Sequence, residues 1–113
     1  MNETEIRHYL TRSGRNIFDE WLTQLADPRA QAKIAMRINR LAAGNFGDAK
    51  ALRLGLYELR IDWGPGYRVY YAMIGRLCVL LLCGGDKRKQ SADIERALLY
   101  LKDYRERTTS HET

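Results

Sequence analysis

At 113 residues the chain is sized for one domain with a single continuous core, so one site or one surface must carry its function. Hydrophobic residues make up 45% of it and only two prolines occur, which excludes a disordered basic tail and marks a globular protein. A formal net charge of +5 favours an acidic partner, either nucleic acid or an acidic protein, because a cationic surface speeds encounter with polyanions.

The first predicted element is a strand over Glu5-Ile6-Arg7-His8-Tyr9-Leu10, which alternates and is ended by Ser13-Gly14. Asn16 then offers an N-cap with Asp19 three residues on, and Ile17, Phe18, Trp21, Leu22 and Leu25 recur at helical spacing up to about Ala26. Asp27-Pro28 starts a second helix, with aspartate as the cap and proline at the first position, where its missing N–H costs nothing. Its buried stripe is Ala30, Ile34, Ile38 and Leu41. Arg29, Lys33, Arg37 and Arg40 line the other side, and charges opposite an apolar stripe read first as a solvated helix face rather than a nucleic-acid helix. Gly44-Asn45-Phe46-Gly47 closes that helix.

A hairpin follows: Leu56 to Asp62, the turn Trp63-Gly64-Pro65-Gly66, then Tyr67 to Tyr71. By period 2, Tyr57, Leu59 and Ile61 share one face of the first strand, leaving Glu58, Arg60 and Asp62 on the other; Arg68 and Tyr70 share that polar face. Two registers are open. One sets Arg60 directly opposite Arg68, a like-charge pair that a bound phosphate would repay. The other sets Asp62 opposite Arg68 as an ordinary surface ion pair, worth roughly 0–1 kcal/mol.

After Gly75, the run Leu77 to Cys83 is apolar on both faces and reads as an interior strand covered on both sides, ended by Gly84-Gly85. Cys78 and Cys83 fall on opposite faces of it and cannot easily pair. Buried thiols without metal-ligand neighbours fit a reducing cytosol, as does the absence of a signal-peptide pattern, and the run is too short to cross a bilayer. A cytoplasmic protein without membrane association, metal or cofactor is expected. His8 and His111 stand alone and are not read as catalytic or ligand histidines. Beyond Asp86-Lys87-Arg88-Lys89-Gln90, Ser91 is placed to cap a last helix with Ile94, Ala97, Leu98 and Leu101 inside and Asp93 and Glu95 in its first turn. The whole is an α+β domain over residues 1–107: an N-terminal strand, two helices, a three-stranded antiparallel curved sheet with helices on one face, and a C-terminal helix. Residues 108–113 form a polar C-terminal tail.

In this layout Arg60 and Arg68 on the hairpin and Lys87 to Lys89 beyond the next strand can converge on one cationic cleft. The loop leading into the last helix adds backbone N–H groups suited to a phosphate. Arginine suits phosphate because its planar fork donates two hydrogen bonds in fixed geometry and stays charged. Cleaving RNA asks for little more, since the neighbouring 2′-hydroxyl is a built-in nucleophile. Arg60, Arg68 and Lys87 would stabilise the transition-state charge, Glu58 or Asp86 would be the base, and Lys87 or a water would protonate the leaving oxygen. Lys50, Tyr70, Arg88, Lys89 and Gln90 are the expected nucleic-acid contacts, a tyrosine of the hairpin stacking on a splayed base.

The segments Leu56-Tyr57-Glu58-Leu59-Arg60, Gly64-Pro65-Gly66-Tyr67-Arg68-Val69-Tyr70 and Leu81-Leu82-Cys83-Gly84-Gly85-Asp86-Lys87, followed by Gln90 and Asp93-Ile94, resemble the phage-derived, HigB-type branch of the RelE/ParE toxin superfamily. The likeness covers nearly the whole chain. It implies a RelE-like domain and the toxin of a type II toxin–antitoxin pair. Such a toxin cleaves mRNA on the translating ribosome and is silenced by a cognate antitoxin, commonly of helix-turn-helix type. Arg68 matches the phosphate-contacting arginine of the Gly-Tyr-Arg motif, and Arg60 and Lys87 fall where RelE-type enzymes carry basic residues. Two positions depart. Glu58 stands where RelE has lysine, and Asp93 or Ile94 stands near its C-terminal catalytic tyrosine, so RelE's acid–base assignments do not transfer. HigB-type relatives act without that tyrosine.

Two other readings compete. One is a non-nucleolytic toxin of the ParE kind, inhibiting a topoisomerase. The other is an inert module that only binds its antitoxin, through a segment packed near Arg60 and Arg68 or on the exposed face of the Asn16–Gly44 helical pair.

Overall fold

The computed structural model describes residues 4–111, with the side chains of 110 and 111 left aside, so the side chain of His111 lies outside the described residues. Five strands and three helices follow in the order β1 (Glu5–His8), α1 (Ile17–Gln24), α2 (Pro28–Ala42), β2 (Ala49–Ala51), β3 (Leu56–Ile61), β4 (Tyr67–Met73), β5 (Cys78–Asp86) and α3 (Gln90–His111). A single 3-10 turn, Lys87–Lys89, joins β5 to α3. The α+β class holds, but the expected three-stranded antiparallel sheet does not. The strands form one five-stranded mixed sheet in the order β1-β5-β4-β3-β2. β1 joins it parallel to β5, pairing Glu5 with Cys78 and His8 with Leu81. β2 adds the opposite edge through only three pairs, Ala49–Leu59, Lys50–Glu58 and Ala51–Tyr57, too short a run to show a period in the sequence.

The first two helices start where their capping residues direct. The Asn16 side chain accepts from the Asp19 N–H at 3.0 Å, and Asp27 accepts from the Arg29 N–H at 2.9 Å with Pro28 at the first helical position. α3 departs: the cap at its approach is Asp86, accepting from the Arg88 N–H at 2.9 Å, and not Ser91. The helix also runs on to His111, into the segment read as a polar tail, whose last two residues lie outside the described residues. None of the described helices is long and apolar enough to cross a membrane.

Helices cover both faces of the sheet, correcting the expectation of one. α1 and α2 supply Phe18, Ile34 and Leu41 to a core with Leu59, Ile61, Val69, Tyr71, Val79 and Leu81. α3 supplies Ala97 and Leu101 to a second core with Leu56, Tyr70, Ala72, Leu80 and Leu82. The sheet thus divides the core in two, where the length predicted one continuous core, and this explains why β5 is apolar on both sides: every residue from Cys78 to Gly85 is buried. The glycine pair is inside this strand and does not end it. A Cβ on Gly84 would lie 2.3 Å from the Trp21 ring of α1, and one on Gly85 would lie 1.9 Å from Asp93 Oδ2 of α3. Both glycines are there for close approach, one on each face. A register shift between Tyr70 and Tyr71 adds Leu82 to the β5 side, a bulge beside the polar patch described next.

Candidate functional site

The hairpin takes the register that sets Arg60 directly opposite Arg68, and Arg68 in turn faces Gly85 on β5. The Asp62–Arg68 pairing is therefore absent. Its turn is closed by Gly66 N–H donating to the Trp63 carbonyl at 3.0 Å, with Gly64 and Gly66 at φ of +54° and +81°, a conformation glycine adopts without strain.

What holds the two like charges together is Glu58, which is fully buried beneath them. Its Oε1 accepts from Arg60 Nε at 3.0 Å and lies 3.9 Å from Arg68 Nε. Its Oε2 accepts from the Tyr70 hydroxyl at 3.2 Å and from Gln90 Nε2 at 2.6 Å. Burial opposes ionisation of Glu58, but the hydrogen bonds from Arg60, Gln90 and Tyr70 and the Arg60 charge outweigh it and hold the carboxyl below its usual range. Burial and the adjacent Glu58 push the Tyr70 hydroxyl well above its ordinary value, so it stays a donor. The expected open polar face is thus closed by α3 over Glu58 and open only toward the turn.

At that open end lies a cleft of about 290 Å³, lined by Asp48, Arg60, Asp62, Gly64, Pro65, Gly66, Arg68 and Lys87. Lys87 is brought in by its backbone N–H, which donates to the Gly66 carbonyl at 2.8 Å. The Arg68 side chain is 13% exposed, against 35% for Arg60. Arg68 Nη1 donates to the Tyr67 carbonyl at 3.2 Å, while its Nε is buried with no hydrogen-bond partner. That Nε lies toward Glu58, while the residue itself lines the open cleft, where a guanidinium fork suits an anionic oxygen.

Three of the four expected catalytic residues, Arg60, Arg68 and Lys87, therefore meet in one cleft, and the fourth, Glu58, lies under it. Glu58 has its lone pairs occupied and its proton affinity lowered, so its place is to position the arginines. Tyr70, expected to touch nucleic acid, is fully buried, so no base can stack on it; it supports Glu58 from below. Gln90 is likewise spent on Glu58. Arg88 pairs with Asp86 at 2.9 Å, and neither it nor the exposed Lys89 lines the cleft. Lys50 is exposed on β2, opposite Glu58 in the register and outside the cleft. Asp86 is occupied as a cap and by the Arg88 side chain, which lowers its carboxyl below the usual range, so it is not a free base. Of the loop N–H groups expected to suit a phosphate, those of Lys87 and Arg88 are already bonded, to the Gly66 carbonyl and to Asp86.

Two cleft carboxylates, Asp48 and Asp62, were not among the expected catalytic residues. Asp48 precedes the three-residue β2, and its carbonyl accepts from the Arg60 N–H at 2.9 Å, a placement only the β2–β3 pairing reveals. Arg37 also departs from the solvated-face reading of α2: its Nη1 donates to the Arg60 carbonyl at 2.6 Å, clamping β3 from the opposite side. Beside it, Lys33 stands over the Trp63 ring at 4.4 Å.

No protein-family profile matches this sequence. It is 55% identical over 82 residues to an uncharacterized protein of Haemophilus influenzae, an alignment covering 73% of this chain and 83% of that relative. The chain belongs to that protein's family. An identity this high over most of both chains carries the fold across, and the relative's description names no activity, substrate or partner.

Proposed function

We propose that the cleft binds the phosphodiester backbone of RNA and that the protein is a metal-independent endoribonuclease, the toxin of a type II toxin–antitoxin pair acting on mRNA at the ribosome. The observation that carries this reading is the facing pair Arg60–Arg68, held over one buried carboxylate, with Lys87 at the third side of the same cleft. Opposing two arginines across strands costs stability, and Glu58 beneath them offsets that cost; what it leaves open is the cleft side of both arginines, beside Lys87, where a phosphate would join the three cations. The sequence resemblance to HigB-type toxins supports the same substrate and supplies the ribosome, the mRNA and a helix-turn-helix antitoxin as partners.

In the proposed reaction the RNA 2′-oxygen attacks the adjacent phosphorus and loses its proton to a base. The bond from phosphorus to the 5′-oxygen breaks, and that oxygen takes a proton, leaving a 2′,3′-cyclic phosphate and a 5′-hydroxyl. Arg68 and Arg60 donate to the non-bridging oxygens, whose charge grows in the transition state. Lys87 faces the same phosphate as a mobile point charge and proton donor. Asp48 and Asp62, the carboxylates lining the open cleft, are placed to take the 2′-proton, a role Glu58 is too enclosed to fill.

Primer extension on cellular mRNA after brief induction tests this, with wild type and Arg68→Ala compared and translation blocked in a parallel sample. Translation-dependent cuts that vanish in the variant support the nuclease. A toxic wild type that makes no cuts and damages DNA would favour the topoisomerase-directed reading.

A further inference from the structure

A second concave surface lies beside α3 at the other end of β3 from the cleft. It is an apolar groove of about 620 Å³, floored by Leu98 and Leu99 of α3 and walled by Arg53 and Leu54 of the turn between β2 and β3. Leu99 is 65% exposed and Leu54 is 71% exposed, the two most exposed large hydrophobic residues described. Leu54 is moreover held outward on a left-handed backbone, φ +60°, the one described residue other than glycine with positive φ. Arg105 fixes it there, its Nη1 donating to the Leu54 carbonyl at 2.9 Å. L-residues other than glycine rarely adopt that conformation, and here it leaves a leucine open to solvent.

The charges along the groove decide its occupant. Along α3, Glu95 lies one turn before the leucines and Lys102 one turn after, so the stripe nearest them reads acid, Leu98-Leu99, base, with Arg105 and Glu106 one turn further on and Arg53 on the facing turn. A partner helix of uniform charge would meet one favourable and one unfavourable end. A second α3 running antiparallel, related by a two-fold axis between Leu98 and Leu99, sets Glu95 against Lys102 of the other copy twice over and Leu98 against Leu99 twice over. That is the self-complementarity an isologous interface requires. Glu95 already pairs with Arg53, but both side chains are largely exposed, so the pair adapts at little cost.

The geometry points to this groove as a homodimer interface, formed by antiparallel packing of α3 on α3 with the Leu54 turn at its margin. The stripe from Glu95 to Arg105 spans about 15 Å of helix, so the interface is small and the dimer weak and concentration-dependent. The inference is independent of the nuclease reading, since no residue of the stripe lines the cleft.

Sedimentation velocity over roughly 1–300 μM, a range bracketing weak interfaces, tests it. Wild type is expected to shift from monomer to dimer. Leu99→Glu, at an exposed position that leaves the fold intact by circular dichroism, is expected to stay monomeric. Glu95→Lys and Lys102→Glu each set like charges together and should each weaken self-association about tenfold. Mixed with one another, the two charge variants should associate again, because the lysine introduced in one chain then meets the native lysine's replacement, a glutamate, in the other. A monomeric wild type throughout the range, dimers indifferent to Leu99→Glu, or mixed variants that fail to associate would each overturn the proposal.

Discussion

The two faces of the sheet use the same strands to opposite ends. Toward α1 and α2, alternate residues of β3 and β4 are Tyr57, Leu59, Ile61 and Val69, Tyr71, and they bury a uniformly apolar layer. Toward α3 the intervening residues begin as core, with Leu56, Tyr70 and Ala72, and end as Glu58, Arg60 and Arg68. α3 follows the change. Its later turns pack Ala97 and Leu101 on the apolar half, while Gln90 closes over Glu58. One face is therefore built for stability and the other trades some of it for a charged cleft, as sites held by a rigid scaffold commonly do.

The sharpest way to break that contrast is Arg68→Ala. On the proposed reading it should lower the cleavage rate roughly 10²- to 10³-fold, the scale of one lost transition-state donor, in a chain that remains folded by circular dichroism. Near-normal cleavage would sink the role given to the α3 face.

The adjacent glycines apply one perturbation to each face. Gly84→Ala and Gly85→Ala should each destabilise by about 2–3 kcal/mol in denaturant titrations, the upper range for overpacking, since Trp21 and Asp93 must move. Only Gly85→Ala should also reduce cleavage, because displacing Asp93 disturbs the turn of α3 that carries Gln90. Equal losses of activity in the two variants would show that the faces are not separable.

Glu58→Gln keeps the shape but removes the charge between the arginines. It should cost about 2 kcal/mol, less than the roughly 3–5 typical of breaking a buried pair, because Arg60 retains access to water. The pH dependence gives the sign. Glu58 ionises more readily folded than unfolded, so its contribution is fully present above its ordinary value of 4.5 and is lost as pH falls through the lower folded value. Wild type and Glu58→Gln should therefore differ most near neutrality and converge in acid. A constant difference across pH would mean that Glu58 acts by packing alone.

The smallest expected effects separate two neighbours on α2. Arg37→Ala should cost about 1 kcal/mol through the lost hydrogen bond to the Arg60 carbonyl. Arg40→Ala, on the exposed side, should stay within about 0.5 kcal/mol by thermal melting.

Local patterns in the sequence by themselves determined which residues of β3 and β4 share a face, where α1 and α2 begin, and that Arg60 and Arg68 point the same way. Each of these follows from residues close in the chain, through period-2 alternation on either side of one turn and through single-residue caps. On β5 the bulge at Leu82 shifts the alternation and puts Cys83 on the α3 side. Tertiary structure alone decided the rest. The Arg60–Arg68 register depended on how the turn closes. The parallel β1–β5 pairing joins segments some seventy residues apart, and β2 is held by its partner strand rather than by any period of its own. Gly84-Gly85 looked like a strand end because glycine usually is one; only Trp21 and Asp93, arriving from helices on opposite faces, make it the interior of a strand. Contacts between residues distant in the chain leave no periodic trace in it, and those contacts turn a row of charged residues into a cleft.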